Sequence, residues 1–208
     1  MDRHFHFYEP SQGHGLKHNP FNAIIAPRPI GWISTQDKAG NLNLAPYSFF
    51  NAFNYDPPLI GFSSILWKDT VCNAADTGEF AWNLVSKELR ERMSATSATL
   101  ARGEDEFAYS GLTPAPSRMI AVPRVAESRA SMECKVTDIV RFRNLQGDHI
   151  DSWLVIGEVV GVHIDQSLIV DGVYQTAQAE PVMRGGGLED YFQVGPSCLF
   201  KMARPTQS

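Results

Sequence analysis

A mainly β protein, in which a sheet closes on itself and carries a few short helices, is what this sequence predicts. Three observations lead there: several β-branched and aromatic runs set apart by turn residues, only two stretches rich in helix formers, and two long strand candidates at 131–142 and 153–164. Closure removes the unpaired edges that so many strands would otherwise expose.

The run 30–35 is β-branched and aromatic, and Asp37 to Asn41 is a turn signal leading into 42–45, so the two form a hairpin. Pro46 has no backbone N–H and is expected to end the second strand, leaving 46–51 as a tight loop lined by hydroxyls. Phe49 and Phe50 are assigned to the core. After Pro57 and Pro58, the run 59–64 suits a buried strand. Asp69 is read as the cap of a helix over 70–77, with Gly78 where helices commonly end. The strand pattern resumes over 79–85, and 86–98 favours a helix capped by Ser86. Residues 100–130 are broken by Gly103, Gly111, Pro114, Pro116 and Pro123, so they read as a long excursion with at most a short helix over 104–110. The two long strands then follow, joined by a turn at Gly147 and Asp148. Gly157 and Gly161 stand where strands bend or meet a close neighbour.

At 208 residues and 43% hydrophobic content the chain can bury a real core, and its length fits one unit over 1–208, with 1–20 as an arm. Eighteen scattered basic residues and a net charge of −5 argue against nucleic acid as a partner, since phosphate-backbone affinity needs clustered Lys and Arg. No apolar run reaches the roughly 20 residues that cross a bilayer, and the first six residues lack the apolar core of a signal peptide. A soluble, cytoplasmic protein with no membrane partner is the expectation. Cys72, Cys134 and Cys198 are odd in number and widely spaced, which indicates neither a disulfide framework nor a Cys-x-x-Cys site. His4 and His6 lack a third ligand at sensible spacing, so no metal is expected.

Several segments in fixed order carry a resemblance. They are Arg28-Pro29-Ile30-Gly31-Trp32-Ile33-Ser34-Thr35, Asn43-Leu44-Ala45-Pro46-Tyr47-Ser48-Phe49-Phe50-Asn51, Pro57-Pro58-Leu59-Ile60-Gly61-Phe62-Ser63, Lys68-Asp69-Thr70, Gly78-Glu79-Phe80 and Asn83-Leu84, continued by Pro123-Arg124-Val125-Ala126-Glu127-Ser128, Glu133-Cys134 and Ile156-Gly157-Glu158-Val159-Val160. Together they resemble the flavin reductase-like family of FMN-binding split barrels, which includes flavoredoxins and the reductase components of two-component monooxygenases. The resemblance implies a six-stranded Greek-key split barrel, a homodimer, and one FMN per subunit near the subunit interface. It also implies NAD(P)H as a transient reductant and a possible partner monooxygenase.

The residues suit such a cofactor. For the phosphate, Lys68, Asp69 and Thr70 begin a helix whose first N–H groups and positive dipole end favour an anion, and Ser63, Ser64 and Ser34 add hydroxyls. Asp69 would repel a dianion, so its role is capping and positioning. For the ring, Trp32, Ile33, Ala45, Pro46, Tyr47 and Ser48 are the candidates, with the strand end at 45–48 offering backbone groups to the pyrimidine edge. Each has a plainer reading as well, an exposed helix start or a packed aromatic.

Hydride transfer from nicotinamide to flavin is the cofactor's own chemistry, and no catalytic residue is assigned. His163, Arg184 and Tyr191 are candidates for the nicotinamide or substrate pocket, the last two flanking the glycines at 185–187. Glu158 and His163 stand five apart, which puts them on opposite faces of a regular strand and excludes a dyad. The functional expectation is an NAD(P)H-dependent flavin reductase. An FMN electron carrier that is no enzyme, or a flavin-dependent oxidase or oxygenase, are the alternatives.

Overall fold

The computed structural model describes residues 3–101 and 103–205. Its main sheet uses β1 (Gly31–Gln36), β2 (Leu42–Tyr47), β3 (Phe50–Tyr55), β4 (Pro58–Ile65), β5 (Glu79–Asn83), β6 (Ala130–Arg143) and β7 (His149–Ile164). All pairings are antiparallel, in the order β2-β1-β5-β6-β7-β4-β3. Helices α1 (Asp69–Thr77), α2 (Arg90–Ala95) and α3 (Glu106–Ser110) decorate it. A hairpin of β8 (Val182–Arg184) and β9 (Tyr191–Gln193) pairs with the two-residue strand Arg28–Pro29.

The sheet curls because its inward side chains share one centre. Ile33 of β1, Phe62 of β4, Phe80 of β5, Cys134 of β6 and Val155 of β7 are fully buried in a single cluster, closed off by Val71 and Ala74 of α1. Strands this far apart in the order cannot meet on a flat sheet. Among the described residues no ladder joins the two ends, so the barrel is split. Side chains bridge the seam instead: the Tyr47 ring of β2 lies 4.7 Å from that of Phe62 on β4.

Trp32 alternates to the other face of β1 and packs outside the barrel with Leu44, Met93, Phe107 and Val125, under α2 and α3. Gly157 is dictated by the packing inside the barrel, since a Cβ there would stand 2.5 Å from the Phe80 ring.

Four local expectations change. Pro46 does not end its strand, because β2 is the sheet's edge: Leu44 turns its N–H outward to the Glu106 carboxylate at 3.0 Å, and Pro46 shares that outward phase, where no ladder bond is lost. Residues 50–51 belong to β3, a seventh strand the sequence hid in a loop, and Phe49 is 40% exposed rather than core. Lys68, not Asp69, is the N-cap residue of α1, without a side-chain cap bond, while Gly78 ends it in the left-handed region at φ 73°. The helix over 86–98 is a 3-10 turn, Lys87–Leu89, followed by the shorter α2.

Candidate functional site

The outward edge of β2 and the start of α1 are tied together by hydroxyls. Asn43 donates from Nδ2 to the Thr70 Oγ1 at 2.9 Å, and the Tyr47 hydroxyl shares hydrogen bonds with Thr70 and with Ser64 on β4. Burial raises the Tyr47 pKa above its ordinary value, the charges of Asp69 and Glu106 raise it further, and the bonds from Thr70 and Ser64 only oppose this. The phenol therefore stays neutral, as a fixed hydrogen-bonding post. Ser64 and Thr70 are almost fully buried, so their hydroxyls hold this junction together and do not face open space.

Lys68 is exposed at the head of α1, where the helix's first-turn N–H groups have no intrahelical acceptor. Beside it the Trp67 ring meets Trp153 edge-on at 5.2 Å. Asp69 stands in a small polar hollow with Asp37, Asn43 and Asn73.

Two cavities meet at Ser48. One, of about 570 Å³, is lined by Pro46, Tyr47, Ser48, Arg184 and Tyr191, with Ser94 and Ser97 on its far wall. The other, of about 470 Å³, adds Ser63 to an apolar wall that includes Phe49, Phe53 and Leu154. Chain-distant candidates thus converge: the strand end 46–48 and the C-terminal hairpin share a single opening. Arg184 shapes that opening by donating to the carbonyls of Leu188 and Asp190, both at 2.7 Å, while its guanidinium lies 4.8 Å from the Tyr191 ring centre. Gly186 lets the loop between β8 and β9 pack on the turn Phe21–Ile24, because a Cβ there would stand 2.3 Å from the Ala23 Cα. Arg28, in register with Arg184, anchors the same loop through the Gly185 carbonyl at 3.1 Å and the Asn22 carbonyl.

Other candidates lie elsewhere. The Trp32 indole is buried and donates to Thr96 Oγ1 at 3.0 Å, and Ile33 fills the barrel. Ser34 is buried, donating to the Pro123 carbonyl at 2.7 Å. These three side chains are structural, because alternation along a strand paired on both sides leaves them only the two packed faces. Ala45 is half-buried and pairs with Ile33 in the ladder, so it contributes to the edge through backbone alone.

His163 is separated from Arg184 and Tyr191, lining a different cavity, where its Nε2 bonds the Oε1 of Glu133. The strand is not regular there. An extra residue between Val159 and Gly161 shifts the register, so Glu158 (opposite Lys135) and His163 (opposite Ser131) share a face after all. His163's partner is Glu133, which sequence spacing could not reveal across two strands. Ser94, in the last turn of α2, and Ser97, just past its end, also line the cavity of Tyr47 and Arg184 and were missed, because isolated serines carry no local signal of a site.

The family model of the flavin reductase like domain matches residues 25–181. A protein of Halalkalibacterium halodurans is 38% identical over 189 residues, covering 88% of each chain. Among solved structures, nitrilotriacetate monooxygenase component B from Bacillus cereus superposes with a TM-score of 0.86 at 28% identity, over 97% of this chain and 100% of the other. A Shewanella frigidimarina protein assigned as a flavin reductase with split barrel domain gives 0.76 at 28%, over 90% of each.

Proposed function

The chain belongs to the flavin reductase like family, a flavin-binding family, and from that premise we propose that it is an NAD(P)H-dependent flavin reductase holding FMN. The observation that carries this reading is the position of Tyr47. Its ring lines the cavity shared with Arg184 and Tyr191, while its hydroxyl reaches Thr70 at the head of α1, so one residue fixes a ring-sized space relative to an anion-favouring helix start.

A bound flavin would supply the chemistry, hydride acceptance from a nicotinamide and onward electron transfer. The chain's own part is binding and order. Lys68 and the first-turn N–H groups of α1 receive the phosphate, with Ser63 near the apolar cavity wall. The unpaired edge of β2 offers backbone groups to the pyrimidine rim. Arg184 and Tyr191 form the wall against which a dinucleotide docks for the duration of one transfer. A second copy of the chain covers the exposed Phe49, Phe53, Ile65, Leu66 and Trp67, a patch of the kind that marks an interface. The Bacillus cereus neighbour, a monooxygenase component, supports a monooxygenase as recipient of the reduced flavin. Among the described residues no helix is long and apolar enough to cross a membrane.

Anaerobic stopped-flow mixing of the FMN-loaded protein with NADH or NADPH tests the reading, with bleaching of the flavin absorbance as the expected result. Flavin that binds but is bleached by neither nucleotide leaves an electron carrier and ends the reductase reading. Failure to take up FMN in equilibrium dialysis ends both.

A further inference from the structure

A third cavity, of about 630 Å³, shares no lining residue with the two that meet at Ser48. It lies at the C-terminal end of β7, and four of the side chains around it are cationic or can be: Arg118, Arg124, Arg129 and His163. Its carboxylates are already engaged. Asp165 takes the Arg129 Nε at 3.2 Å, and Glu127 is 3.7 Å from Arg92 and accepts the Thr113 N–H. Behind His163, the fully buried Glu133 uses both oxygens, accepting the N–H groups of Arg118 at 2.8 Å and Met119 at 2.6 Å besides the imidazole.

Two guanidinium groups are left over. Arg118 makes no side-chain hydrogen bond or ion pair among the described residues. Arg124 spends one Nη on the Pro116 carbonyl at 3.1 Å, and its other Nη is left without a side-chain or backbone acceptor among the described residues. The lining also includes the apolar side chains Val162, Ile164 and Ile169.

We propose that this cavity is a second ligand site, which binds a phosphomonoester of nucleotide size through Arg118 and Arg124 and receives its body against the apolar lining residues. Two planar forks suit a dianionic oxyanion better than a single carboxylate. Free phosphate would leave most of the space unfilled. The site does not depend on the flavin reading, because none of its residues belongs to that cavity.

Isothermal titration of the full chain, loaded with FMN and freed of unbound FMN by gel filtration, uses 5′-AMP as the probe, with adenosine and inorganic phosphate as controls. 5′-AMP is expected to bind and adenosine is not. Arg118→Gln and Arg124→Gln should each weaken 5′-AMP by about tenfold to a hundredfold, the worth of one charge-assisted hydrogen bond. Arg118 is exposed, so its variant keeps the fold and the test stands even if Arg124→Gln does not fold. Arg143→Gln, exposed at the end of β6 and, among the described residues, with its side chain bonded only to the Gly147 carbonyl of its own turn, should leave the affinity unchanged. The proposal is overturned by absent 5′-AMP binding, by adenosine or inorganic phosphate binding as tightly, or by an affinity that falls with Arg143→Gln and not with Arg118→Gln.

Discussion

Glu133 on β6 and His163 on β7 are hydrogen-bonded to each other on the outer face of the barrel, the carboxylate with no exposed surface and the imidazole about one-fifth exposed. Burial alone would raise the Glu133 pKa, but the bond from His163 and the two backbone N–H donors outweigh it and hold the group below its ordinary 4.5. A carboxylate depressed in the folded state stabilises the fold above its ordinary pKa, and that contribution fades as pH falls through the folded value. Glu133→Gln should therefore cost about 1–3 kcal/mol near neutral pH. Urea midpoints measured from pH 7 downward should show the gap to wild type closing below pH 4.5; a gap constant down to strongly acid pH would contradict the assignment.

Lys68→Ala removes an exposed cation from the head of α1 without disturbing packing. A charge-assisted phosphate bond is worth ~1.5–3 kcal/mol net, so FMN affinity should fall by about tenfold to a hundredfold while the melting temperature holds. Fluorescence titration with FMN reads this directly. Unchanged affinity moves the phosphate elsewhere.

Gly186→Ala places a methyl group against the backbone of Ala23, where nothing can give way cheaply. The hairpin of β8 and β9 should part from the turn Phe21–Ile24, at a cost of about 1–3 kcal/mol. Limited proteolysis between Gly185 and Asp190 should become faster, and nicotinamide docking weaker. A variant as resistant as wild type would show that the loop does not rest on this contact.

Burial, reinforced by the neighbouring Glu133 charge, pushes the Cys134 thiol far above its ordinary pKa. With the thiolate all but absent, Cys134 should resist an aromatic disulfide reagent until the chain unfolds, whereas the exposed Cys198 should react at once. Mass spectrometry after brief labelling distinguishes them, and early labelling of Cys134 would disprove its place in the barrel.

Much of this was legible along the chain. The hairpin of β1 and β2, the helix after Lys68 and its glycine stop, and the two long strands all announce themselves through local signals, β-branching, turn residues and a left-handed glycine. Where those signals misled, a longer-range condition had taken over. Pro46 could stay inside its strand because β2 has a free edge, and Glu158 came round to the face of His163 because a bulge inserts one residue.

What the sequence determined by itself was most of the repertoire: six of the seven strands of the main sheet, the glycine stop of α1, and which family the order of motifs points to. It could not decide which of two adjacent residues in β1 meets a site, since Trp32 and Ile33 are both apolar and both alternate into packed faces. Nor could it bring Tyr47 to Thr70, Ser48 to Arg184, or Glu133 to His163. Those meetings depend on how a split sheet curls and where its register slips, which is settled by cooperative packing of residues far apart in the chain.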